Sequence, residues 1–85
     1  MRFPSCPNTS NDIWNFRGNA EYLACAMAGN RTARQLCAFR KLRIALGDQT
    51  FREILCDALD VMASSTSIQS PAGWLYAFVK DELVK

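Results

Sequence analysis

The chain has 85 residues, 49% of them hydrophobic and 21% charged, with ten Lys and Arg against eight Asp and Glu and no histidine. That length supports one hydrophobic core and not two, the composition is that of a globular protein, and no apolar run approaches the roughly 20 residues that span a bilayer. A formal net charge of +2 is modest for a nucleic-acid-binding module, so charge alone names no partner.

The first eighteen residues read as an extended, irregular lead-in. MRFPSCPNTSND combines two prolines with Ser, Thr and Asn, a composition that favours turns and extended backbone, and IWNFRG supplies aromatics to pin the lead-in onto the body. The segment has no continuous apolar stretch of the kind a secretory signal needs, so a cytoplasmic setting is expected. Gly18 and Asn19 then offer a break and an N-cap. A first helix is predicted over about residues 19–28, where Ala20, Leu23, Ala24, Met27 and Ala28 recur at the spacing of one helical stripe and Gly29-Asn30 supplies the stop. Its many alanines imply close helix contact.

A second helix is predicted over about residues 32–46, ended by Gly47. Its apolar residues Leu36, Cys37, Phe39, Leu42, Ile44 and Leu46 spread around most of the circumference, which predicts a central helix touched on several sides. The third helix, about residues 49–63, carries the clearest periodicity. Phe51, Ile54, Leu55, Ala58, Leu59 and Met62 share one face, and Glu53, Asp57 and Asp60 share the opposite one. Asp48 or Thr50 is its expected cap, with Thr50 and Glu53 at capping-box spacing. ASSTSIQS is a polar loop in which Ile68 tucks inward. Ser70 as N-cap and Pro71 as first helical residue open a last helix, predicted over residues 71–84, because proline's missing N–H is unused in the first turn. Leu75, Val79 and Leu83 lie along one edge of it and Trp74 and Phe78 on a second, where they complete the core; Tyr76 falls on a third, expected at the surface. The fold class is therefore all-α, a compact single-domain bundle of about four helices.

The four cysteines, Cys6, Cys25, Cys37 and Cys56, contain no CxxC pair, and with no histidine they do not resemble a zinc ligand set. No metal or other cofactor is expected. Cys25, Cys37 and Cys56 fall in helical segments among Ala, Leu and Phe, where a free thiol packs as a small hydrophobe. In a secreted protein four cysteines permit three pairings, among which spacing does not choose.

The span AFRKLRIALGDQTFREILCDALDVMASSTSIQSPAGWLYAFVKDEL resembles the C-terminal domain of bacterial plasmid replication initiators of the replication protein C type. The resemblance rests on Leu46, Gly47, Ala58, Ile68, Ser70, Pro71 and a Gly-aromatic-Leu start to the last helix, here Gly73, Trp74 and Leu75, and covers about half the chain. It implies binding to plasmid origin DNA or to replication proteins. The family pattern has Gly where Ala72 stands, Tyr for Trp74 and a basic residue for Tyr76, with more Lys and Arg after it; this chain has Asp81 and Glu82 there.

A nucleic-acid role therefore falls on the second helix. Arg31, Arg34, Arg40, Lys41 and Arg43 place five cations in thirteen residues, close enough for several to reach phosphates along one groove. Helical spacing puts Arg34 and Lys41 on one side and Arg40 and Arg43 nearer the other. The competing expectation is that these cations are solvated and balance the acidic face of Glu53, Asp57 and Asp60 on the neighbouring helix. Catalysis has little support: there is no Gly-rich phosphate loop and no Ser or Cys beside a recognisable base, and Asp57 and Asp60 sit on an exposed face. The alternative function is a non-enzymatic protein-interaction module, an accessory factor or inhibitor, that binds a protein partner through Trp74 and Tyr76 or through Glu53, Asp57 and Asp60.

Overall fold

Glycines and caps divide the chain close to where the sequence places them. A computed structural model describes residues 3–65 and 67–84, so Met1 and Arg2 of the predicted lead-in and Thr66 of the predicted loop lie outside the described residues. Five helices follow in order: α1 (Ser10–Asn15), α2 (Ala20–Ala28), α3 (Ala33–Leu46), α4 (Asp48–Ser64) and α5 (Pro71–Leu83). Among the described residues there is no strand, and no helix is long and apolar enough to cross a membrane. Gly29 ends α2 in the left-handed region, φ 72°, donating its N–H to the Ala26 carbonyl, a conformation that a Cβ makes costly. Thr32 caps α3 by accepting the Gln35 N–H on Oγ1. Pro71 opens α5 behind Ser70, whose carbonyl accepts the Trp74 N–H.

Gly47 joins α3 to α4 by itself. At φ 96° its N–H closes α3 on the Arg43 carbonyl at 2.8 Å, and its own carbonyl accepts the Phe51 N–H at 2.9 Å to start α4. This corrects the expected cap: Gly47 is the N-cap residue of α4, Asp48 is the first helical residue, and neither Asp48 nor Thr50 caps through its side chain. Asp48 instead accepts a hydrogen bond from Arg52 one turn on.

α3 is packed on several sides, as expected, but α2 is the helix buried most completely. Every residue of α2 except the half-buried Tyr22 is buried, and the helix packs against α3, α4 and α5. Four of its nine residues are alanine, and so small a side-chain shell lets neighbours approach from all sides, which a reading in terms of one stripe misses. α3 packs on three helices too, but Leu36, Phe39 and Leu42 alone of it are buried. Phe39 is a hub, 6.4 Å edge-on to Phe51 of α4 and 6.1 Å from Tyr76 of α5, geometries that aromatic pairs favour. From α4, Phe51, Ile54, Leu55 and Ala58 are buried, Leu59 and Met62 are half-buried at the margin, and Glu53, Asp57 and Asp60 face outward. From α5, Leu75 and Val79 are buried, while Trp74 and Phe78 stack 5.1 Å apart, both half-buried. Tyr76, expected at the surface, is also half-buried because Phe39 lies beneath it. Cys37, expected to pack, is exposed; Cys25 is buried, Cys56 intermediate and Cys6 exposed, all four free thiols.

The lead-in is not wholly irregular. Asp12 accepts the N–H groups of Asn8 and Thr9 at 2.9 and 3.2 Å and so starts the six-residue α1, which inserts Ile13 completely into the core. Phe3 packs on Tyr22 at 5.5 Å. A helix this short does not hold itself. Arg52, buried on α4, supplies the hold: its guanidinium donates to the carbonyls of Ile13, Phe16 and Gly18 at 2.6 to 3.0 Å and through Nε to Asp48 at 2.9 Å. A cation thus meets the free carbonyls at the end of α1, where the helix dipole favours it.

Removing the fork should strip three carbonyls of their partner and free α1. Arg52→Ala is expected to destabilise the protein by about 3 kcal/mol and, in hydrogen exchange, to expose the amides of α1 before those of α5. Unchanged protection of α1 in the variant would show that Ile13 alone anchors it.

Candidate nucleic-acid interface

The outward face of α3 is built from Ala33, Arg34, Cys37, Arg40, Lys41, Ile44 and Ala45, all exposed. Arg34, Cys37, Lys41 and Ile44 follow one another at steps of three, four and three residues, the spacing that aligns side chains along a helix. No carboxylate stands anywhere on α3, and Arg31 lies exposed just before it. The helix therefore turns its apolar side to Phe51 and Tyr76 and presents cations and small side chains outward. Arg34 also borders a groove of about 310 Å³ between α3 and α5, lined by Gln35, Ala38, Ala72, Gly73 and Tyr76.

The five predicted cations divide into two groups. Arg31, Arg34 and Lys41 make no hydrogen bond or ion pair with any described residue. Arg40 and Arg43 converge on Glu21, a carboxylate with no exposed surface on the second position of α2. Arg40 Nε donates to Oε2 at 3.1 Å and Arg43 Nε to Oε1. The pairing raises the Arg40 guanidinium above its ordinary pKa, chiefly through that hydrogen bond. A buried carboxylate without partners carries a desolvation cost of several kcal/mol; with both oxygens taken, no buried side-chain nitrogen or oxygen among the described residues lacks a partner.

This corrects two expectations. Arg40 and Arg43 are not free solvated charges, since they hold a buried carboxylate. Nor do the cations of α3 balance the acidic face of α4: among the described residues no ion pair joins α3 to Glu53, Asp57 or Asp60, which stay exposed. Of the residues expected to bind a protein, Trp74 and Tyr76 are half-buried on α5, in contact with Phe78 and Phe39 respectively. The described residues hold no group of three Cys, Asp or Glu side chains placed to bind a metal.

Glu21 and Arg52 went unread in the sequence, and each had a signal. Glu21 is the lone charge in AEYLACAMA, and Arg52 is the lone cation in a helix with four acidic residues. A single charge against the character of its segment is often there to meet a partner elsewhere.

Cys25 is next to this charge cluster. Burial, with a smaller contribution from the Glu21 charge, pushes its thiol from 9.0 up to about 11. Below pH 9 the thiol is protonated in both folded and unfolded chains and its contribution to stability is complete. As pH rises from about 9 to about 11 the unfolded thiol ionises first, so stability falls. Urea denaturation at pH 8 and pH 10.5 is expected to show a fall larger in wild type than in Cys25→Ala by on the order of 2 kcal/mol. An equal fall in both proteins would place the alkaline sensitivity elsewhere.

Compared with models of protein families, with curated proteins and with solved structures, the chain matches none.

Proposed function

We propose that this chain is a non-enzymatic helical module that binds duplex DNA through the outer face of α3, in the replication machinery of a bacterial plasmid or another mobile element. The observation that carries the reading is charge segregation. α3 and the turn before it bear Arg31, Arg34, Arg40, Lys41 and Arg43 without one carboxylate, while Glu53, Asp57 and Asp60 occupy the outer face of α4 and Asp81 and Glu82 the end of α5. A net charge of +2 therefore understates the field over α3: Glu21 of α2 offsets one of the five cations, while the carboxylates of α4 and α5 cancel charge in the sum but not in space. Cations gathered along one helix are an electrostatic footprint of phosphate binding, and α3 carries such a cluster. The likeness of Leu46, Gly47, Ser70, Pro71, Gly73, Trp74 and Leu75 to the tail of plasmid replication initiators supports the replication setting.

One observation favours a second reading, a protein partner in the same setting. The Trp74–Phe78 stack is only half-buried, and aromatic side chains of that kind anchor protein interfaces.

Duplex titrations across a salt series test the first reading. Binding is expected at about 50 mM salt, with log Kobs falling against log salt at a slope of roughly −3 to −4, as for four neutralised phosphates. A chain that binds no duplex at that salt contradicts it. The protein-partner reading then requires that Trp74 fluorescence shift on adding a replication protein, read in a Trp14→Phe background because Trp14 is 43% exposed and would contribute its own signal.

A further inference from the structure

We infer that Arg40 and Arg43, held side by side on the buried carboxylate of Glu21, form a preorganised clamp for one phosphate group. The inference rests on the DNA reading of α3 and names the pair of side chains at which a backbone phosphate seats. Each guanidinium gives Glu21 only its Nε, and neither makes another hydrogen bond or ion pair among the described residues. A guanidinium has five N–H donors in a rigid fork, so both retain their Nη edges. Those edges are reachable: the Arg40 side chain is 44% exposed and that of Arg43 21%.

Charge leads to the same conclusion. One carboxylate faces two guanidinium ions, which leaves one positive charge uncompensated, next to a group that brings the two like charges together. A second anion on the outer side relieves that repulsion. Glu21 also fixes the rotamers of both arginines in the free protein, so little side-chain entropy remains to be lost when the anion arrives. Glu21 is thus a positioning residue, acting on the phosphate through the two arginines. Tetrahedral phosphate suits the clamp because two forks present several N–H groups to several oxygens at once. Arg34 and Lys41, which are not anchored, contribute only charge to the same duplex.

Lysine substitutions separate a clamp from simple charge. A lysine at position 40 or 43 keeps the charge and still pairs with Glu21, but its ammonium is a point charge drawn to the buried carboxylate and lacks the planar Nη edge that meets two phosphate oxygens together. Duplex affinity is measured for wild type, Arg40→Lys, Arg43→Lys, the double variant and, as a charge-preserving control outside the DNA-binding face, Arg17→Lys, at an exposed position, with thermal melts verifying that each is folded. In parallel, the Nε–Hε NMR signals of Arg40 and Arg43 are followed while inorganic phosphate is added to wild type. The clamp predicts about a tenfold loss of duplex affinity for Arg40→Lys and for Arg43→Lys, little change for Arg17→Lys, and phosphate-induced shifts of both Nε–Hε signals. Duplex binding within about twofold of wild type in both Arg40→Lys and Arg43→Lys overturns the clamp while leaving DNA binding by α3 intact. Phosphate shifts at Arg40 and Arg43 in a chain that binds no duplex sustain the clamp and overturn the DNA reading, identifying a free phosphate or phosphorylated ligand as its occupant. Absence of both duplex binding and phosphate shifts overturns the two together.

Discussion

A carboxylate with no exposed surface sits on the helix that every other long helix touches. α2 is short, rich in alanine and almost wholly buried, an arrangement that apolar packing alone explains at every position but Glu21. An unpartnered charge there costs more than any single hydrophobic contact contributes. Glu21 therefore constrains what may lie next to α2: the neighbouring helix must bring cations to both carboxylate oxygens, and α3 does so with Arg40 and Arg43. With the Nε groups of those two residues committed to Glu21 at one flank, and Leu36, Phe39 and Leu42 buried at the adjoining one, the rotation of α3 is set. Arg34, Cys37, Lys41 and Ile44 are left facing out.

A second buried charge repeats the device with signs exchanged. Arg52 lies on the core side of α4, where its guanidinium gathers the carbonyls of Ile13, Phe16 and Gly18. Glu21 registers one helix against another through opposite charge, and Arg52 fastens a short segment through the free carbonyls at its end. Hydrophobic burial is non-directional and supplies most of the driving force here, while these two groups supply direction. A core whose central helix is largely alanine has little shape of its own with which to choose among rotations of its neighbours, and directional polar contacts make that choice.

The four long helices were legible because period and punctuation agree in them. Gly29, Gly47 and Ser70-Pro71 mark their ends, and the alternation of Leu55 and Ala58 with Glu53, Asp57 and Asp60 marks the faces of α4. The lead-in misled for a local reason: the start of α1 depends on one carboxylate, Asp12, and its persistence on Arg52, 36 to 39 residues away from the carbonyls of Phe16 and Ile13. The near-complete burial of α2 was missed for a related one. α3 has apolar residues around its circumference, which suggested burial, yet Cys37 and Ile44 are exposed; α2 has one stripe of larger residues, yet alanine permits contact on every side. Of the candidate interface, the cations themselves were legible and their division was not, because which arginines are free depends on a carboxylate nineteen and twenty-two residues earlier.

The account depends on Glu21 and Arg43 acting as a pair, and a double-mutant cycle for stability measures that directly. Urea unfolding of Glu21→Gln, Arg43→Gln and the double variant is expected to yield a coupling of about 2 kcal/mol, the double variant being less destabilised than the sum of the singles, because either single change strands a charge that the other removes. Additivity within about 0.5 kcal/mol would contradict the account and leave the packing of α2 to its alanines alone.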